Sequence, residues 1–288
     1  MPTSSGEPYS SFIGILHFAH GKLLSDSRLL DLSMVDRVLL DVDGVLIQNP
    51  YKRLIFPEVA RKLVEEERVQ EFVDMMLKES IRRTREGKLV SAYDWDDIVR
   101  VVSKRIGVEG NVSVANVVVE VCSSSVEIKA YPDAIPTLLE LKNRGIELIA
   151  LTNGFCDIVT PVLRKTGVLK LLDSLITPDK VGVAKPSPRI FLVASEGAVE
   201  PIFVGDNVSV DICGANSAGI SSVLIWRELP EELSMDPKER AAKAHTLGLI
   251  QEKLMSESTS FLAPSQGCVP DFLIQNLEEI IRIVERTD

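Results

Sequence analysis

The feature that most constrains the fold of this 288-residue chain is an alternation of short apolar runs and helical segments from residue 131 onward. The apolar runs are rich in Val, Leu and Ile and end near Gly, Asp or Asn, as buried strands do. Several of the helical segments end at a glycine, such as Gly145, Gly167 or Gly219, which is the usual residue just after a helix. Strands that alternate with helices in this way predict a parallel, doubly wound α/β sheet.

The predicted elements can be placed along the chain. Strands are predicted at residues 38–40, 146–151, 174–176, 202–204, 222–226 and 271–274, and helices at 134–143, 156–165, 188–196, 210–217 and 277–284. Ser187 is expected to cap the third of these helices, because it precedes Pro188, a residue favoured in the first turn.

Residues 56–127 interrupt the alternation. Their apolar residues recur at helical spacing, so about four helices are expected there, beginning near Pro57. The Val-rich stretch 112–121 suits either a helix or a strand. We therefore predict a helical second domain at 56–127 inserted into an α/β core domain at 34–55 and 128–288.

Two segments depart from this plan. Residues 1–33 form an N-terminal extension, either a loosely packed arm or an over-long reading of the gene. Residues 228–268 are charged and predicted to be helical, with residues 231–255 dominant, and end in a loop rich in Ser, Pro and Gly. This second segment would be either a contact in a homodimer or a flexible flap.

Composition excludes several classes of protein. A net charge of −10 argues against binding to nucleic acid or to an anionic membrane, and Arg82-Arg83 is interpreted as a solvated helix face. No apolar run approaches the roughly 18 residues of a membrane span, and the apolar stretch 12–19 lacks the basic lead-in of a signal peptide. The four cysteines form no CxxC pair. A cytoplasmic protein with reduced thiols is expected.

Polar residues follow several of the predicted strands at their carboxyl ends. Because these ends share one edge of a parallel sheet, the side chains are expected to converge there. The residues, in chain order, are Asp41 and Asp43, then Thr152, Asn153 and Gly154, then Lys185, then Asp206 and Asp211.

This set of residue types is suited to one kind of chemistry. Asp41, Asp43 and Asp206 would bring negative charges close together. The electrostatic repulsion is about 4 kcal/mol for each pair of carboxylates ~4 Å apart at an effective dielectric of 20. A hard divalent cation relieves that repulsion, and Mg²⁺ prefers carboxylates together with phosphate oxygens. Lys185 and Thr152 would add donors for a phosphoryl group. A carboxylate could then attack phosphorus, with a second carboxyl as general acid and base.

The ordered strings DxDGV, LTNG, a lysine in AKPSPRIF, and GDNxxxxD resemble the haloacid dehalogenase (HAD) superfamily of phosphohydrolases. The resemblance covers residues 36–227 and 269–285. It implies that residues 56–127 are the helical cap of the family's first class, which closes over the site and selects substrate. It also implies a Mg²⁺-dependent hydrolase that acts on a small phosphorylated metabolite through an aspartyl phosphate.

The resemblance assigns a role to each candidate residue. Asp41 would be the nucleophile and Asp43 the general acid and base. Thr152, with Asn153 and Gly154, would bind phosphate, and Lys185 would stabilise charge. Mg²⁺ would be held by Asp41, the backbone carbonyl of Asp43 and Asp206, with support from Asp211. Lys52, Arg53, Arg82 and Arg83 are candidate contacts for the rest of the substrate.

Three alternatives remain open at this stage. Dehalogenases of the family replace the second Asp of the first motif, so Asp43 favours phosphate chemistry. Phosphosugar mutases use cap His and Lys residues, but the three histidines of this chain, His17, His20 and His245, lie outside residues 56–127. A catalytically silent scaffold would be expected to have lost one of the catalytic positions, and all are present.

Overall fold

The core of the computed structural model is a six-stranded, fully parallel sheet, as the sequence predicts. The structure describes residues 35–230, 233, 235–257 and 268–285, and the predicted N-terminal extension at 1–33 lies outside them. The strand order is β3-β2-β1-β4-β5-β6, so β1 lies centrally and the chain adds strands outward on both sides of it. The strands are β1 (Arg37–Leu40), β2 (Glu147–Leu151), β3 (Ser174–Ile176), β4 (Pro201–Gly205), β5 (Ser221–Ile225) and β6 (Phe272–Ile274).

The segment between β1 and β2 is helical. A π-helical turn at Tyr51–Ile55 leads into α1 (Phe56–Arg61), which is followed by α2 (Val69–Arg85), α3 (Trp95–Arg105) and α4 (Val114–Ser124). The ambiguous Val-rich stretch is therefore a helix. Its buried residues Val114, Val117, Val118 and Val121 recur at helical spacing and form one apolar face.

These inserted helices share a continuous apolar core with the sheet. Phe56, Phe72 and Met76 are fully buried in the same cluster as Val38 and Leu40 of β1. The boundaries predicted for a separate domain at 56–127 stay a prediction.

The helices that pack on the sheet follow the predicted alternation. They are α5 (Ala134–Asn143), α6 (Cys156–Lys165), α7 (Pro178–Val181), α8 (Pro188–Ala194) and α9 (Cys213–Ser217). Gly145, Gly167 and Gly219 all have positive φ angles, as the predicted helix ends require. Ser187 occupies the N-cap position of α8 and Pro188 begins the helix, as predicted, but the Ser187 side chain makes no capping hydrogen bond.

Alternate strand residues face the two sides of the sheet. Val38 and Leu40 pack in one apolar cluster, while Leu39 packs in another with Phe203 of β4 and Phe191 of α8. All of these side chains are buried. Because successive residues of a strand point to opposite faces, both faces of β1 are covered and the strand reads as a continuous apolar run.

The segment at 228–268, called the excursion below, packs against the sheet. It contains α10 (Pro237–Thr246) and α11 (Leu249–Ser256) and leads to β6, after which the described chain ends with α12 (Ile280–Val284). Ala241 of α10 and Leu254 of α11 share an apolar cluster with Leu224 of β5 and Leu273 of β6.

Two expectations about single residues are wrong. Cys213 is bonded to Cys268 as a disulfide, so these two side chains are not the reduced thiols expected, whereas Cys122 and Cys156 are free. Arg83 is buried and pairs with Glu79 and Asp97, so Arg82-Arg83 is not simply a solvated face. Among the described residues, no helix has the length and apolar character of a membrane span.

Arg240 provides a test of how the excursion is held. Its buried guanidinium donates to the carbonyls of Leu233, Met235 and Leu273 and to the carboxylate of Glu279. Arg240→Ala should lower the free energy of unfolding by about 3 kcal/mol, because the half-buried carboxylate of Glu279 loses its cation and three backbone carbonyls lose their donor. Urea unfolding measures this loss. Lys238→Ala, on the exposed part of the same helix, is the control, and equal losses in both variants would contradict the interpretation.

Candidate active site

The register of the sheet brings the predicted site residues to one edge. Leu40 of β1 is level with Ala150 of β2 and Val204 of β4, so the three strands end at the same height. The next residue, Asp41, donates its N–H to the carbonyl of Val204 at 2.9 Å. All eight candidates line one cavity of about 530 Å³: Asp41, Asp43, Thr152, Asn153, Gly154, Lys185, Asp206 and Asp211.

Lys185 is the charged centre of the cavity. Its ammonium lies 2.7 Å from Oδ1 of Asp41 and 2.7 Å from Oδ1 of Asp211, and the residue is only 3% exposed. The backbone of Lys185 is fixed by the side chain of Asn153, which donates to its carbonyl at 3.0 Å and accepts from its N–H at 2.8 Å. The Asn153 amide group is therefore used to position Lys185.

The carboxyl groups have strongly altered proton affinities. Burial and the neighbouring Asp41 raise the pKa of Asp43 to about 8. Burial also raises the pKa of Asp41, to about 6, although Lys185 acts against the shift. The pKa of Asp206 lies well above its usual value because of burial and the charges of Asp211 and Asp41. For Lys185, burial alone would lower the pKa, but the two aspartates that it contacts raise it above its ordinary range.

The donor set fits a hard divalent cation. Carboxylate oxygens of Asp41, Asp206 and Asp211 lie within 4.8 Å of one another, and oxygen ligands of this kind suit Mg²⁺. Oδ1 of Asp43 is buried with no hydrogen-bond partner among the described residues, as expected of a group that meets a ligand. Both oxygens of Asp211 already accept hydrogen bonds, from Lys185 and from the N–H of Asn207. Asp211 is therefore placed to support the carboxylate cluster through these two hydrogen bonds.

The turn after Asp43 approaches Asp206 closely. Gly44 has a φ of +82°, and a Cβ atom at this position would lie 2.0 Å from Oδ2 of Asp206. Arg227 fixes the same turn from the other side by donating to the carbonyls of Gly44 at 3.1 Å and Val45 at 2.8 Å. Its guanidinium also stacks on Tyr131, 3.6 Å from the ring centre. No sequence pattern predicted this role of Arg227, because a lone arginine after a strand resembles a surface charge.

The inserted helical segment supplies one wall of the cavity. Tyr51, Phe56, Tyr93 and Trp95 line it together with Lys52. Burial raises the pKa of the Tyr93 phenol, and a hydrogen bond to Asn153 acts in the opposite direction. Sequence analysis missed these aromatic residues, since aromatic residues at helical spacing are usually core residues.

Of the four basic candidates for substrate contact, the structure places only Lys52 at the cavity. Arg53 pairs with Glu127, and Arg82 and Arg83 pair with Glu79.

The chain belongs to the family of haloacid dehalogenase-like hydrolases, whose sequence profile matches residues 35–219. It is 30% identical over 210 residues to a glyceraldehyde 3-phosphate phosphatase of Methanopyrus kandleri. The aligned region spans 67% of this chain and 85% of the relative. It is 35% identical over 131 residues to (S)-2-haloacid dehalogenase 1 of a Pseudomonas species. That aligned region spans 44% of this chain and 55% of the relative. A crystal structure of a HAD phosphatase from Thermococcus onnurineus shares the fold, with a TM-score of 0.59, 24% identity and coverage of 87% of this chain and 98% of that chain.

Gly44→Ala tests the close approach of the two acidic turns. The variant should lose activity by at least about tenfold, because the added methyl group displaces Asp206 and the site tolerates little misplacement. Gly145→Ala is a matched control: Gly145 also has a positive φ, of +77°, but its Cβ would meet nothing within 4 Å. That control should cost about 1 kcal/mol of stability and leave activity unchanged. Equal activity in both variants would show that the approach of Gly44 to Asp206 has no consequence.

The raised pKa of Asp43 predicts how stability depends on pH in the presence of a chelator. Because the pKa is about 8 in the folded protein and roughly 4 in an unfolded chain, the folded state binds the extra proton between these values. Stability must then fall as pH rises through this window. Asp43→Asn should reduce the fall in unfolding free energy between pH 5 and pH 8 by at least about 1.4 kcal/mol, the equivalent of one pKa unit.

Chemical denaturation at a series of pH values in chelator measures this slope. Asp74→Asn, which changes an exposed carboxylate on α2, serves as the control and should keep the wild-type slope. An unchanged slope in Asp43→Asn would show that Asp43 ionises normally in the folded protein.

Proposed function

We propose that this protein is a Mg²⁺-dependent phosphomonoester hydrolase that acts on a small phosphorylated metabolite through an aspartyl phosphate on Asp41. One observation carries the proposal. A buried lysine ammonium bonds the carboxylate of Asp41 at 2.7 Å in a cavity that also contains a second carboxyl of raised pKa, that of Asp43. The pairing provides a nucleophile, a charge that attracts a phosphoryl group, and a source of protons.

In the first step, a carboxylate oxygen of Asp41 attacks phosphorus. The bond between phosphorus and the ester oxygen breaks, and its electron pair stays on the leaving oxygen. Asp43 supplies the proton that this oxygen needs, since a pKa of about 8 keeps its carboxyl protonated near neutral pH. The product of the step is an aspartyl phosphate and a free alcohol.

In the second step, Asp43 acts as the base. Its carboxylate takes a proton from a water molecule, whose oxygen attacks phosphorus and breaks the bond to Asp41. Inorganic phosphate leaves and Asp41 is restored. The same residue is thus acid in one step and base in the next.

Lys185, Thr152 and Gly154 would bind the phosphoryl oxygens. Lys185 lies between Asp41 and Asp211, and its charge can follow the oxygens of the group as it is transferred. The Thr152 hydroxyl accepts the N–H of Gly154 at 3.2 Å, which fixes the hydroxyl at the end of β2. Asn153 contributes by holding the backbone of Lys185.

Mg²⁺ would be held by Asp41, Asp206 and the backbone carbonyl of Asp43, with Asp211 in support. When bound, it would neutralise charge on the phosphoryl group and orient it. The cluster of carboxylate oxygens within 4.8 Å is the support for this assignment.

The choice of a small metabolite rests on the cavity and on the relatives. The wall formed by Tyr51, Phe56, Tyr93 and Trp95 leaves room for a modest leaving group. A relative with 30% identity is named a glyceraldehyde 3-phosphate phosphatase. Asp43 weighs against dehalogenase activity, which has no leaving oxygen to protonate.

Asp41→Asn should reduce hydrolysis to below about a hundredth of the wild-type rate, because an amide cannot form the acyl phosphate. The measurement is phosphate release from a panel of phosphomonoesters with Mg²⁺ and with chelator. Asp74→Asn on α2 is the control and should retain full activity. Substantial turnover by Asp41→Asn, or a wild-type rate that is the same in chelator, would contradict the covalent, Mg²⁺-dependent mechanism.

A further inference from the structure

The excursion is in direct contact with the turn that carries Asp206 and Asp211. Glu257, just after α11, accepts the N–H of Val208 on Oε1 at 2.8 Å and the N–H of Ser209 on Oε2 at 2.9 Å. The excursion was expected to be a dimer contact or a flap. In the structure, Glu257 bonds the backbone beside the candidate metal ligands.

The described residues supply an acceptor for each of the first N–H groups of this turn. A π-helical turn at Val208–Ile212 begins immediately after Asp206 and Asn207. The first N–H groups of any helix lack partners within it. Here the N–H of Asn207 is bonded to Asp211, the N–H of Val210 is bonded to the side chain of Asn207, and Glu257 takes the two between them. Glu257 is thus the only group from outside the turn among these acceptors.

We propose that Glu257 is a positioning residue for the candidate metal site, because it fixes the turn that presents Asp206 and Asp211. This proposal rests on the function proposed above. The need for such a residue follows from the charges: the carboxylates of Asp41, Asp206 and Asp211 repel one another, and that repulsion favours opening of the turn. Two charge-assisted hydrogen bonds to the backbone oppose it.

Glu257 is itself held in place. Its side chain is 9% exposed, and the ammonium of Lys253, one helical turn earlier, lies 3.5 Å from Oε1. Lys253 in turn lies over the ring of Trp226, 5.5 Å from its centre. Ile250 and Leu254 bury the same helix against the sheet.

A disulfide joins the other end of the π-helical turn to the excursion. Cys213, the first residue of α9, directly follows the π-helical turn and is bonded to Cys268. The turn is therefore tied to the excursion at both of its ends, by Glu257 at Val208 and Ser209 and by the disulfide at Cys213.

The test compares Glu257→Gln with Glu257→Ala. Glutamine keeps the size of the side chain but turns one acceptor into a donor that faces a backbone N–H, and alanine removes both acceptors. Glu252→Gln, on the exposed side of α11, is the matched control. Calorimetric titration of the metal-free protein with Mg²⁺ gives the dissociation constant. Hydrogen exchange of a peptide spanning residues 206–213 reports on the turn itself.

Both Glu257 variants should bind Mg²⁺ about 10- to 100-fold more weakly than wild type, the usual cost of losing a residue that orients a metal ligand. The amides of Val208 and Ser209 should exchange faster, and Glu252→Gln should match wild type in both measurements. Unchanged Mg²⁺ affinity in both Glu257 variants would overturn the proposal, even if their melting temperatures fall, because the role would then be structural only.

The outcome also separates this proposal from the proposed function. If wild type binds Mg²⁺ and Asp206→Asn does not, the metal site stands and the Glu257 variants alone decide the role of Glu257. If wild type binds no Mg²⁺, both proposals are overturned together.

Discussion

The structure of the candidate site depends on one interaction, the contact of the buried Lys185 ammonium with Asp41 and Asp211. These three residues come from different parts of the chain, and the parallel pairing of β1 with β4 brings Asp41 close to the turn that contains Asp211. A buried cation without partners would be strongly destabilising, as would the aspartates without it. The position of each residue is therefore fixed by the other two, and Asn153 locks the arrangement by holding the backbone of Lys185.

Two residues that lie outside the sequence motifs fix the backbone turns around Lys185. Arg227 donates to the carbonyls of the turn after Asp43, and Glu257 accepts the N–H groups of the turn after Asp206. The positive charge of Arg227 faces the negative ends of carbonyl dipoles, and the carboxylate of Glu257 faces the positive ends of N–H dipoles. Each charged group therefore stabilises backbone groups of opposite polarity. Both residues lie in or next to the part of the chain that departs from the family pattern. The excursion thus contributes to the rigidity of the acidic turns, and a site for a small ligand needs such rigidity more than it needs further contacts.

Sequence analysis predicted the sheet and the convergence of the candidate residues at one of its edges because the signals for both are local. A short apolar run indicates a buried strand. Residues that directly follow such a strand, such as Asp41 or Asp206, must then lie at the edge of the sheet. Features that depend on the path of a long connection could not be predicted. Cys213 and Cys268 are 55 residues apart, and nothing in their spacing shows that the excursion returns to α9. Tyr93 contacts Asn153 and Glu257 accepts two backbone N–H groups, and neither kind of contact leaves a pattern in the sequence.

The charges at the site explain why the acid, the lysine and a cation are required together. When ionised, Asp41, Asp206 and Asp211 would place three negative charges against the single positive charge of Lys185, and a phosphate monoester would bring about two more. At ~4 Å and an effective dielectric of 20, each uncompensated pair costs about 4 kcal/mol, so the anion would be repelled from the cavity. A divalent cation removes most of that cost. A protonated Asp43 removes one further negative charge where the ester oxygen must leave, so the shift in its pKa serves both binding and catalysis.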